Sequence, residues 1–367
     1  MIPQANPLAS YCAQKEAIDA AIHRVLACGR YLLGSETAAF EEEFARAVGA
    51  RHAVAVASGT DALCLALRAL GVRPGDRIVT VSHTAVATAA AIIMANAEPV
   101  FVDIDPQTYT MAPEALSLAL STLQRQRVRI GAIVPVHLYG SPADMTAIAA
   151  LANRYDVPVV EDCAQAIGAS IDGTHVGTVG AAAAYSFYPT KNLGTFGDGG
   201  AVTTGNSEIA ERLRALRQYG WRDEARISAE PGVNSRLSEL EAAVLRVKLT
   251  VLESNVARRR AIAAMYDDAF SALPVTRPRC VRGAHAFHLY VLGLEQRDLV
   301  QRQLEAADVG TAIHYATPVH LQPAFAGRAP SLPHTEQAAK RVLSLPIYPE
   351  LSDEQIRAVI YAVVSAF

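Results

Sequence analysis

The sequence predicts an α/β protein: a large domain with a mostly parallel sheet and helices on both faces, followed by a smaller α+β domain. Three observations predict it. Short apolar runs alternate with helical patterns from about residue 50 to 205, as in a series of strand-helix units. Those runs lack polar alternation, which is what strands covered on both faces require. From about Ser271 the texture changes to short strands, proline-rich turns and helices.

Taken in order, two helical stretches open the chain, around Tyr11 to Ala27 and Glu36 to Val48, with Gly34 between them. Strand-helix pairs follow: AVAVAS with TDALCLALRALG, RIVTV with TAVATAAAIIMANA, PVFVDI with a helix near Glu114, and AIVPVH with ADMTAIAALANRYD. VPVVED, AAYSFY and GAVTT read as further strands. SELEAAVLRVKLTVLESNVARRRAIAAMYDDAF has the length of one helix that links domains. The large domain is therefore placed at residues 1–250 and the small one at 251–367, where HLYVLGL and TAIHY read as strands.

Composition narrows the function classes. A chain of 367 residues with 51% apolar content exceeds a single core. The formal charge of -3 lacks the positive excess of a nucleic-acid binder. Five cysteines show no CxxC pair and no zinc-finger spacing, so they read as reduced thiols without a metal. No basic region followed by an apolar run opens the chain, and the longest apolar stretch, Ala85 to Ala95, is too short to span a bilayer. A cytoplasmic protein without a membrane partner is expected.

Three segments carry chemistry. Ser58-Gly59-Thr60 sits between a strand and a helix, where free amides and the helix dipole make an anion site; an ordinary N-cap is the competing reading. Asp162, with Glu161 before it, ends an apolar strand, where a carboxylate can hold a pyridine nitrogen protonated or simply cap a helix. Lys191, in SFYPTKNLGTFGDGGAV, lies between two strand-like runs, where desolvation would free a neutral amine for Schiff-base formation.

SGTDAL, EDCAQAIGA, SFYPTKNLGTFGDGGAV and GVNSRLSELEAAVLRVKL together resemble the DegT/DnrJ/EryC1/StrS family of sugar aminotransferases. That family has the fold type I architecture of aspartate aminotransferase. The likeness runs from GSETAAFEEEFA to LSLPIYPELSDEQI. It implies that Lys191 carries pyridoxal 5'-phosphate, which becomes pyridoxamine phosphate in the half-reaction. It further implies that Asp162 pairs with the ring nitrogen, that Gln165 bonds the phenolic oxygen, and that Ser58, Gly59, Thr60 and Ser186 hold the phosphate. Asn234 would reach that phosphate from the other subunit of a homodimer. Where the family often stacks an aromatic on the ring this chain has Ala85, and His83 is expected to supply a ring face instead.

Tyr188, Arg236, His314, Tyr315 and His320 are expected near the sugar nucleotide on the same grounds, with packed or capping roles as the alternative. The implied reaction moves an amino group from glutamate to a nucleotide-linked keto sugar, for glycan (O-antigen or lipopolysaccharide) or natural-product biosynthesis. A dehydrating branch of the family has histidine where this chain keeps Lys191. Within the family, SGTDAL, VHLYGSPADM, NSRLSE and HLYVL are most similar to enzymes acting on dTDP-3-keto-6-deoxyhexoses. UDP-linked 3-keto sugars, 4-keto sugars, a non-sugar ketone and a non-catalytic regulator that binds the cofactor are the alternatives.

Overall fold

The computed structural model describes residues 1–222, 225–280, 282–327 and 330–367. Its strands are β1 His52–Val56, β2 Arg77–Val81, β3 Glu98–Val102, β4 Ile130–Val134 and β5 Val160–Asp162, then a short hairpin of β6 Ser170–Ile171 and β7 Thr174–His175. β8 Ala182–Ser186, β9 Gly200–Thr204, β10 Tyr290–Gly293 and β11 Val342–Leu345 complete the set. β2 pairs in parallel with both β3 and β4. Parallel bridges Ile133–Val159 and Val136–Asp162 join this group to the next, and β5, β8, β9 and β1 continue the sheet. The order is therefore β3-β2-β4-β5-β8-β9-β1, with β9 antiparallel to both of its neighbours.

Strand alternation explains why these runs are apolar throughout. Val54 and Val56 of β1 face one core, while Ala53 and Ala55 face another. The first core is closed by α4 Gly59–Ala69, α5 Val86–Met94 and, farther along, α8 Ser207–Leu216, which is counted after α6 Pro113–Arg125 and α7 Met145–Tyr155. The second is closed by α3 Ser35–Ala47, which follows α1 Pro7–Ala13 and α2 Lys15–Cys28, and by α9 Glu239–Leu249. There Phe44 meets Tyr185 and Phe187 edge-on, with centroids 5.0 and 5.2 Å away. Truncating such a ring to alanine costs about 3–5 kcal/mol.

The expected single linking helix is two helices, α9 and α10 Leu252–Ala269. Thr250 and Val251 interrupt it: both are β-branched, the Thr250 hydroxyl bonds the Val247 carbonyl at 2.7 Å, and Val251 leaves helical geometry at φ -113, ψ 6. β10 and β11 pair antiparallel. Side chains of α10, α11 Arg297–Ala306 and α13 Asp353–Val364 pack with them in a core of their own, and α12 Pro333–Arg341 leads into β11. TAIHY forms no full strand; Ala312 alone bridges to Ser344. The N-terminus crosses to this part of the molecule, where Ile2 bonds Asp308 and Gly310. No helix among the described residues is long and apolar enough to cross a membrane.

Candidate active site

Parallel strands deliver their following residues to one edge of the sheet. Ser58 follows β1, His83 follows β2, Tyr139 follows β4, Asp162 ends β5 and Ser186 ends β8, so all emerge at the carboxyl edge where ligands gather in such sheets. The reversed β9 starts there with Gly200. Glycine is required at this crossing. A Cβ on Gly59 would lie 2.6 Å from the Ser186 Cβ, and one on Gly200 would lie 2.3 Å from the Ser58 carbonyl oxygen. Ser58 caps α4, its hydroxyl accepting from the Asp61 amide at 3.1 Å. The Gly59-Thr60 end of α4 is thereby packed directly on Ser186.

Asp162 is 4% exposed. One carboxylate oxygen accepts from the Thr88 hydroxyl at 2.9 Å and the other from the Ala164 amide at 3.1 Å. Burial raises its pKa, and those two bonds with the nearby Lys191 charge oppose the rise. Glu161, beside it, faces the other way and is saturated. It accepts from His137 Nε2 and from the amides of Gly177, Val179 and Gly180. Burial pushes the Glu161 carboxyl up, but His137 and these amides outweigh it and hold it below the usual range. His137 spends its Nδ1 on the Ala143 amide. His137 and Glu161 thus form a hydrogen-bonded strut, with the Cys163 thiol close by.

Lys191 sits on a turn that its own amide closes on the Tyr188 carbonyl at 2.8 Å. Among the described residues its ammonium has no hydrogen-bond or ion-pair partner. Burial lowers its pKa to about 8, with Asp162 pulling the other way. An amine in that state is a nucleophile near neutral pH.

A network holds the remaining groups. Gln165 accepts from the Tyr139 amide at 2.7 Å and donates to the Tyr315 hydroxyl at 2.9 Å. The Tyr139 hydroxyl donates to the His314 carbonyl, so the proton in its 2.8 Å bond with His83 comes from His83 Nε2. Burial lowers the His83 pKa to about 4. The ring is therefore neutral, with Nδ1 buried and unpartnered.

The model of the DegT/DnrJ/EryC1/StrS aminotransferase family matches residues 12–364. The chain belongs to this aminotransferase family. Among its relatives, dTDP-3-amino-3,4,6-trideoxy-alpha-D-glucose transaminase of Streptomyces venezuelae is 46% identical over 99% of this chain and 95% of its own length. UDP-2-acetamido-2-deoxy-3-oxo-D-glucuronate aminotransferase of Pseudomonas aeruginosa is 41% identical over 96% of each. The crystal structure of S. venezuelae DesV in complex with a ketimine intermediate superimposes with a TM-score of 0.95 at 46% identity, over 100% of this chain and 98% of that one.

In this DegT/DnrJ/EryC1/StrS aminotransferase, the other sequence-predicted residues are dispersed. His314 shares a cavity with Lys191 and bonds Ser344 through Nδ1 at 2.8 Å. His320 is buried behind the site: Nδ1 meets the Ser82 hydroxyl at 2.7 Å and Nε2 lies 3.5 Å from Glu336. Tyr188 and Asn234 point outward, and Arg236 lines a separate cleft with Arg30, Arg212 and Trp221. Sequence reasoning missed Thr88, which orients Asp162, and Tyr139, which ties His83 and Gln165 to the C-terminal segment. Both lay in quoted stretches, TAVATAAA and VHLYG, but only the folded geometry brings them to their partners.

Proposed function

We propose that this aminotransferase uses pyridoxal phosphate to move an amino group from glutamate to C3 of a dTDP-linked 3-keto-6-deoxyhexose, as a homodimer with a shared active site. The observation that carries the reading is Lys191, a half-buried amine with a lowered pKa and no partner among the described residues, near the buried carboxylate of Asp162. The residues fit the cofactor. Gly59 and Gly200 leave a backbone surface that any Cβ would fill, the α4 N-terminus and Ser186 suit a phosphate, and His83 offers a free Nδ1. When bound, pyridoxal phosphate supplies an aldehyde for the amine and an electron sink for the adjacent carbon.

The protein's own part is positioning and proton movement. Asp162 favours a protonated ring nitrogen, Gln165 is placed by Tyr139 to bond the phenolic oxygen, and Lys191 carries a proton at Nζ to and from the reacting carbon. Asn234 serves the partner's phosphate, and Tyr188, Arg236, His314 and Tyr315 meet the sugar nucleotide. The dTDP-sugar preference is supported by the S. venezuelae relative; the P. aeruginosa relative keeps UDP-linked 3-keto sugars as the second reading. A reducing cytoplasm is supported by all five thiols being free. Domains at 1–250 and 251–367 are supported by the separate core around β10 and β11.

The test offers the purified enzyme glutamate with dTDP-3-keto, UDP-3-keto and dTDP-4-keto sugars. Amination at C3 of the dTDP sugar is expected, and turnover confined to C4 sinks the assignment. Borohydride reduction with pyridoxal phosphate present is expected to attach its mass to the Lys191 peptide.

A further inference from the structure

Lys191 also lines a partly enclosed cavity of about 70 Å³, walled by the lysine turn, the N-terminal segment and the turn at 347–350. Two more cations line it. Lys248 of α9 is 5% exposed and its Nζ donates to the Gly194 carbonyl at 2.7 Å. Arg259 of α10 is 6% exposed, donates to the Ile347 carbonyl at 2.7 Å, and has Nε buried without a partner. Among the described residues neither forms an ion pair. Burial lowers the pKa of both, that of Arg259 to about 10.

Lys248 otherwise meets the Phe196 ring, 4.8 Å from its centroid, and Arg259 the Phe287 carbonyl, so two buried cations share the single nearby carboxylate of Glu350 and are short of an anion. Glu350 is the one carboxylate among the lining residues, set against Lys191, Lys248 and Arg259. His288 and His314 add no charge, since burial holds His314 at about 4 and His288 well below its ordinary value. His288 Nδ1 is buried without a partner. The lining cations suit a carboxylate.

We propose that this cavity binds a carboxylate of the amino donor, with Lys248 and Arg259 as its charge partners and Glu350 as a competing anion. The proposal rests on the transamination reading.

Glutarate, a dicarboxylate with no amine to transfer, probes it by calorimetry on the cofactor-loaded enzyme, alongside separate KM values for glutamate and the keto sugar. Lys248→Met is expected to weaken glutarate and raise the glutamate KM about tenfold, with the sugar KM held. Glu350→Gln is expected to tighten glutarate and lower the glutamate KM about threefold. Unchanged glutarate affinity in both variants overturns the proposal, as does a sugar KM that rises in step with the donor's. If no keto sugar is aminated while glutarate responds to both substitutions, the transamination reading falls and the carboxylate site stands. If sugars are aminated and glutarate ignores both changes, the site alone falls.

Discussion

Glu161 and Asp162 are adjacent acids with opposite roles, and lone-pair counting separates them. Each Glu161 oxygen already takes two donors, whereas each Asp162 oxygen takes one. Only Asp162 has capacity for a ligand. Asp162→Asn is therefore expected to keep the fold and cut kcat about 10²-fold or more, while Glu161→Gln loses about 2–3 kcal/mol of stability through unsatisfied buried donors. Comparing kcat with the thermal midpoint of each variant checks both. The sequence showed the pair and its strand end; it did not show which acid was saturated, because His137 and the 177–180 turn reach Glu161 only in the folded sheet. Lys191 gives a second test. Its folded pKa of about 8 lies below its ordinary 10.5, so a desolvation cost is fully present below pH 8 and fades as pH rises toward 10.5. Lys191→Met is expected to stabilise the cofactor-free protein by about 1–3 kcal/mol at pH 7, with the gain in thermal midpoint shrinking by pH 10. A midpoint that is unchanged at pH 7 means the amine is solvated.

At the scale of elements, the N-terminus of α3 is capped from a distance. Glu239, the first residue of α9, is buried and accepts from the amides of Gly34, Glu36 and Thr37, each at 2.9 Å, and from the Thr37 hydroxyl. This one carboxylate satisfies free donors of a helix 202 to 205 positions earlier in the chain and fixes α3 against α9. Gly34 is needed for it, since a Cβ there would lie 2.5 Å from a Glu239 oxygen. Glu239→Ala is expected to cost about 2–3 kcal/mol, read as a lower urea midpoint. Burial pushes the Glu239 carboxyl up, but the Thr37 hydroxyl and the three amides hold it below its ordinary 4.5. Its contribution is thus present above pH 4.5 and lost as acid protonates it, so the variant and the parent converge at low pH. Period and apolar runs made the strand-helix series legible. The break at Thr250-Val251 was not, because helical spacing continues across it, and the cap was not, because nothing local links Gly34 to Glu239.

At the scale of the whole molecule, the sheet order follows from parallel pairing, but the side chains left outside it need a second surface. Val86, Ile93 and Met94 lie on one stripe of α5 and are exposed, as are Tyr188 and Phe196 flanking the Lys191 turn. Apolar periodicity within one chain says nothing of what covers such positions. Asn234 sharpens the question. It points outward, yet Ser235 beside it holds the Ala57 amide and Asp61 at the chain's own α4, so proximity alone leaves Asn234 able to serve either its own site or a partner's. Subunit mixing separates these outcomes. Lys191→Ala and Asn234→Asp homodimers are each expected to be inactive. If Asn234 acts across a twofold interface, a heterodimer of the two variants contains one site with Lys191 and Asn234 both intact, and random pairing restores about a quarter of wild-type activity. If Asn234 acts within its own subunit, every site in the mixture carries one lesion and no activity returns. Recovery on mixing, measured as glutamate-dependent turnover after co-expression, is the outcome the shared-site reading requires.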